Sequence, residues 1–144
     1  MILPISLTIA AAAVLLHIWL SARVSQLRRQ FRISIGDGDN LALKTRMRAH
    51  GNFAENMPIF LVLLALIEHA VGSDLWLWIA AMLFVLARLL HAFGMERPSP
   101  SRLRVVGIAL SFLLLLGLSG YAVYLSYTDS ANRRAIEAPA MHRA

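Results

Sequence analysis

The chain has 144 residues, of which 58% are apolar and 15% charged, with a net charge of +6 and no cysteine. A soluble domain is about 45–50% apolar, so this composition points to a chain solvated by lipid and excludes a disordered one. The missing cysteine excludes a disulfide scaffold, a cysteine-ligated zinc and a cysteine nucleophile. Any thiol in its chemistry therefore comes from a ligand.

A membrane-crossing helix needs about 20 mostly apolar residues. Four stretches qualify in chain order. The first, 3–20, is interrupted only by small polar residues and His17. It has neither a positive N-terminal region nor a small-residue cleavage site before the Arg run, and so reads as a retained helix rather than a removed signal peptide. A long basic connection, 23–48, follows. The second span, 53–70, carries Glu55 and Asn56 near its start. A tight uncharged-to-acidic turn, 71–74, leads into the third span, 75–93, with Arg88 and His91 toward its end. The connection 94–104 holds Pro98, Pro100 and three Arg. The fourth span, 105–125, is uncharged, and a polar tail, 128–144, has no apolar period. The chain thus divides into an all-α, four-span membrane domain at 1–127 and a frayed tail.

Basic residues set orientation. Arg23, Arg28, Arg29, Arg32, Lys44, Arg46 and Arg48 lie in or beside the first connection, and Arg97, Arg102 and Arg104 in the third. Those ten of 14 basic residues make both connections cytoplasmic and both termini external. A pI near 11.1 would otherwise suggest nucleic acid, but charge gathered beside membrane spans is a topology signal, and no nucleic-acid partner is expected. Trp76, Trp78, Tyr121, Tyr124 and Tyr127 fit an outer aromatic belt.

The strongest chemical signal is Arg48-Ala-His-Gly-Asn52-Phe-Ala-Glu55. At about 100° per residue, Asn52 lies about 40° to one side of Arg48 and Glu55 about 20° to the other. The three form one polar stripe entering the second span. Ionisable residues at membrane depth are costly and face a protein interior or a wet cavity. The stripe is either polar glue between helices or a ligand site. Arg88, His91 and Met95 form a matching stripe on the third span, within about 60° of one another. Arg88 holds its proton and calls for a carboxylate; Glu55, at similar depth, is the expected partner. Arg28, Arg29, Arg102 and Arg104 add guanidiniums at the cytoplasmic mouth. Each alone is ordinary positive-inside flanking. Together with one His, one Asn and one acid they complement a small anion that also carries an amine.

Other features carry less. His17 and Ser21 share a face, which fits a packed His. Gly36-Asp-Gly-Asp-Asn40 begins like a calcium loop but no Glu follows at the required distance, so it reads as a turn. Gly117 and Gly120 suit close helix packing. No metal cluster, nucleophile elbow or nucleotide loop is expected.

The residues 27–32 (Leu-Arg-Arg-Gln-Phe-Arg), Gly36-Asp-Gly38, Arg48-x-His-Gly-Asn52-x-x-Glu55 with Pro58, and Arg88-Leu-Leu-His91-x-x-Gly94 resemble the MAPEG family, membrane-associated proteins in eicosanoid and glutathione metabolism, in its small bacterial branch. The resemblance covers about residues 5–127. It implies a four-helix bundle assembled as a homotrimer in the inner membrane, with glutathione as co-substrate bound between subunits near the cytoplasmic face. Members conjugate glutathione to apolar electrophiles, reduce lipid hydroperoxides or isomerise lipid endoperoxides. By position, Arg48, Asn52 and Glu55 would hold the backbone and charged ends of glutathione, with Arg28 reaching it from the first span and Arg88 and His91 beside it. Arg102 best matches the arginine that stabilises the thiolate, with Arg104 a close rival. Met95 and Asn56 stand where several members have Tyr, and Gly51 where some have Arg.

A glutathione transferase or peroxidase-like enzyme is the leading expectation. The alternative is a non-catalytic membrane scaffold or small-anion or lipid binder, in which Arg48, Asn52, Glu55 and Arg88 only join helices.

Overall fold

The computed structural model describes residues 2–98 and 100–137, with side chains through residue 129. The described residues form four helices: α1 (Pro4–Phe31), α2 (Leu41–Val71), α3 (Leu75–Met95) and α4 (Arg102–Glu137). All four are long and apolar enough to cross a membrane, as the composition requires.

The helices overshoot the apolar stretches. α1 has 28 residues, which at about 1.5 Å each is longer than the roughly 30 Å hydrocarbon layer. Arg23, Arg28 and Arg29 therefore ride on α1, and Lys44, Arg46 and Arg48 on α2. Only residues 32–40 remain as the first connection, where Arg32 ends α1 in the left-handed region at φ 54°. Asn40 caps α2 by accepting from the Leu43 N–H at 2.9 Å. At the other end of the chain the backbone stays helical through the first ten residues of the expected tail, to Glu137. Residues 138–144, including Arg143, lie outside the described residues, as do the side chains of Arg133 and Arg134.

The interior is apolar and tight. Phe60 of α2 and Phe84 of α3 stack in parallel with centroids 3.8 Å apart, surrounded by buried Ile9, Leu64, Ile67, Leu77 and Ala81. Outward positions are apolar too: Leu7, Leu15, Ile59, Leu66, Leu113 and Leu116 are all exposed. In lipid such a surface carries no penalty, and close packing rather than water exclusion must hold the helices together. The α3–α4 seam shows how. A Cβ on Gly107 would come within 2.6 Å of the His91 backbone nitrogen and 2.7 Å of the Ala87 oxygen. Gly94 similarly abuts the backbone of Arg104. Two glycines thus let the helix backbones touch.

Each end of the bundle has its own polar tie. On the side opposite the basic connections, α1 has no side-chain cap of its own. Glu68 of α2, fully buried, replaces it. Its carboxylate accepts from the N–H groups of Ile5 (2.9 Å) and Ser6 (2.8 Å), and from the hydroxyls of Ser6 (2.6 Å) and Ser73 (2.7 Å). A carboxylate at a helix N-terminus also meets the positive end of its dipole. On the basic side, Glu96 pairs with Arg23 of α1 and, at 3.2 Å, with Arg46 of α2. Arg23 lies over the Trp19 ring at 4.6 Å, and Arg46 donates to the Arg23 carbonyl at 3.0 Å.

Candidate functional site

A cavity of about 330 Å³ opens on the basic side of the bundle, lined chiefly by Arg48, Asn52 and Glu55 of α2, His91 and Met95 of α3, and Arg104 of α4. The α2 residues reach it because their spacings of four and three bring them round to one helical face. Both stripes read from the sequence meet there. Arg48, Glu55 and Arg104 are exposed, Asn52 is half-buried, and His91 is buried. The His91 ring places Nδ1 3.5 Å from the Arg104 carbonyl oxygen, so α3 and α4 are in contact at the cavity wall. Of the two arginines expected near a thiol, Arg104 lines this cavity. Arg102, at the first position of α4, is exposed and not part of its lining.

Arg88 lies beneath the cavity, only 3% exposed, and its partners correct the expected ion pair. It does not bond Glu55. One terminal nitrogen donates to Asn52 Oδ1 at 2.6 Å, and the other donates to the Gly107 carbonyl at 3.3 Å and to the Ser111 hydroxyl. Ser111, itself fully buried, donates to the same Gly107 carbonyl at 2.7 Å. The cause is rotational. Asn52 is the α2 position that faces α3, and Glu55 is turned about 60° away from it toward the open side. Among the described residues the guanidinium charge therefore meets neutral acceptors only, and its Nε has no partner. With Arg48 and Arg104 at the rim, Arg88 below and Glu55 the lining carboxylate, the cavity favours an anion and offers one acceptor for a cation.

Arg28 lies elsewhere in the same chain. It forms a second cleft with Ser25, Arg29, Arg32, Ile33 and Ser34. Its guanidinium donates to the Ser34 carbonyl at 3.1 Å and contacts Met47 Sδ at 3.4 Å. Met47 in turn lines the main cavity and so touches both that cavity and Arg28.

Several residues that shape the site or the bundle lie outside the sequence-based expectations. Ser111 and Gly107, four apart on one face of an uncharged span, gave only the weak signal of small residues in an apolar helix. His17 of α1 and His50 of α2 come together although no spacing in the sequence relates them. Their rings lie 4.6 Å apart, and His50 Nε2 is buried without a partner. Glu68 had a usable signal, a carboxylate at membrane depth, which went unread. Among the described residues no three His, Asp or Glu side chains come together as a metal site.

The sequence profile of the MAPEG family matches residues 6–124. Over 91 residues the chain is 34% identical to the inner membrane protein YecN of Escherichia coli K12. The match covers 62% of this chain and 69% of that protein. The counterpart in Escherichia coli O6:H1 gives the same figures. A four-span helical bundle, a profile match across all four spans and these relatives agree, and the chain is an integral, multi-pass membrane protein that belongs to the MAPEG family.

Proposed function

We propose that this chain is an inner-membrane glutathione transferase or peroxidase-like enzyme that holds the glutathione thiol as a thiolate. The observation that carries the reading is the single cavity uniting Arg48, Asn52, Glu55, His91 and Arg104 on the basic side. Glutathione has two carboxylates and one ammonium. Arg48 and Asn52 suit the former and Glu55 the latter, by charge-assisted bonds. The thiol has an ordinary pKa of about 8.5, and a neighbouring cation lowers it. Arg104 is the guanidinium for that role, because it lines the cavity and keeps its charge. The thiol proton passes to water at the cavity mouth. The sulfur then bonds the electrophilic carbon of an apolar substrate, and the leaving group departs with its bonding pair. With a lipid hydroperoxide, sulfur attacks the O–O bond, and a second glutathione completes disulfide formation with release of alcohol and water.

The thiol arrives from the cytosol and the apolar partner laterally from lipid, so the membrane boundary is where both phases meet. A homotrimer fits the reading, since Arg28, in a separate cleft within one chain, would then reach glutathione held by a neighbouring subunit.

The decisive measurement uses the full chain in mild detergent. Glutathione should raise the melting temperature, give ultraviolet thiolate absorbance, and react with a chlorodinitrobenzene-type electrophile. Arg104→Ala should lose about 10²-fold or more in turnover with its melting temperature and oligomeric state kept. Absence of thermal shift, thiolate and conjugation in the wild type would overturn the reading in favour of a non-catalytic scaffold or anion binder.

A further inference from the structure

We infer that Arg88 is a positioning residue that fixes the polarity of the Asn52 carboxamide, so that the cavity presents an N–H donor there and takes a carbonyl or carboxylate oxygen of its ligand. The identity of that ligand as glutathione rests on the function proposed above; the polarity does not.

A guanidinium has five donors and no acceptor. Its 2.6 Å contact with Asn52 is therefore possible only through the amide oxygen. Flipped, the carboxamide would set its NH₂ against donors and leave both sides unsatisfied in a low-dielectric interior. Once Oδ1 is taken, Nδ2 must point elsewhere. Asn52 lines the cavity, and its Nδ2 is not among the buried side-chain atoms lacking a partner, which are His50 Nε2 and Arg88 Nε among the described residues. Its two hydrogens are left for whatever enters.

Arg88 can impose this because it is itself held. The Gly107 carbonyl and the Ser111 hydroxyl fix one end of the guanidinium. Gly107, where a Cβ would collide with His91 and Ala87, brings α4 close enough for that grip. The Phe84 ring packs beneath at 5.6 Å. Among the described residues only neutral acceptors bond the charge. No carboxylate is paired with it directly, and its field adds to those of Arg48 and Arg104 in the cavity. Arg88 thus acts on the ligand through Asn52 rather than by contact.

Asn52→Asp separates this role from simple packing. The new carboxylate faces a cation already buried, so only one further charge is desolvated and a lone buried charge is compensated. The variant should melt above the wild type, whereas Asn52→Leu should melt below it. Glutathione affinity by calorimetry should nevertheless fall about tenfold or more in Asn52→Asp, because a donor becomes an acceptor. Arg88→Lys, which keeps a donor against Oδ1, should bind glutathione more tightly than Arg88→Met, which frees the amide to rotate.

An Asn52→Asp protein that melts no higher than the wild type, or that binds glutathione equally well, would overturn the inference. So would equal affinities for the Lys and Met variants. A wild type that binds no glutathione would instead overturn the proposed function. The comparison of Asn52→Asp with Asn52→Leu melting would still decide the polarity of the Arg88–Asn52 contact.

Discussion

The two ends of α2 each carry a carboxylate, and they are treated in opposite ways. Glu68, toward one end, is fully buried and accepts four hydrogen bonds, two from the first turn of α1 and two from serines. Glu55, toward the other, is exposed at a cavity whose remaining charges are guanidiniums. Asn52 beside it has one end of its amide occupied and the other open. A charge in lipid must be paid for somewhere, and full satisfaction at Glu68 marks structure. The open valences at Arg88, Asn52 and Glu55 are those that the proposed glutathione site would use.

Removing the Glu68 charge should produce the largest effect on stability. In Glu68→Gln a single oxygen must serve donors that two oxygens now serve, and an NH₂ group faces other donors. A loss of about 3–5 kcal/mol is expected, read as a drop in melting temperature or in denaturant midpoint in detergent. Glutathione affinity in the protein that remains folded should be unchanged, because the clamp and the cavity lie at opposite ends of α2. A fall in affinity as large as at Glu55 would erase the distinction between the two ends.

Glu55→Gln should show the reverse pattern. The side chain is exposed and bonded to no described residue, so stability should shift by no more than about 0.5 kcal/mol. Glutathione affinity by calorimetry should fall about tenfold, because a charge-assisted bond to the ligand ammonium is lost. A substantial change in melting temperature with no change in affinity would make Glu55 a structural residue like Glu68.

The smallest effect belongs to Lys44→Ala. Its 3.6 Å pair with Asp37 joins the first connection to α2 at an exposed position, and such pairs contribute about 0–1 kcal/mol. Melting temperature and affinity should both stay close to wild type. This control separates a mere surface charge from the charges that shape either end of the bundle.

Helical periodicity explains which parts of the site were legible. Arg48, Asn52 and Glu55 share a face because of spacing alone, as do Arg88, His91 and Met95. Membrane length explains the four spans, although not where the helices stop. α1 and α2 continue well past the hydrocarbon because Arg, Gln and Lys are good helix formers once outside it. The error at Arg88 is equally instructive. Depth matching alone selected Glu55, but the partner depends on how α2 and α4 are rotated about their axes, and rotation placed Asn52, Gly107 and Ser111 there instead. The choice between Arg102 and Arg104 had the same character. A two-residue shift on a helix is about 200°, enough to put one arginine on the cavity and the other off it.

Local rules, then, determined a great deal by themselves: an all-helical membrane chain, two polar stripes, a concentration of basic charge on one side, and any thiol coming from a ligand because the chain has no cysteine. These follow from composition and from a period of about 3.6 residues per turn, neither of which needs a neighbour. Tertiary structure alone decided that the two stripes share one cavity, that Arg88 grips an amide rather than a carboxylate, and that Glu68 closes the N-terminus of a helix 62 residues away in the chain. Hydrogen-bond partners are chosen within about 3 Å. At that scale the approach of two backbones at Gly107, and the rotation of each helix about its own axis, outweigh anything the order of residues reveals.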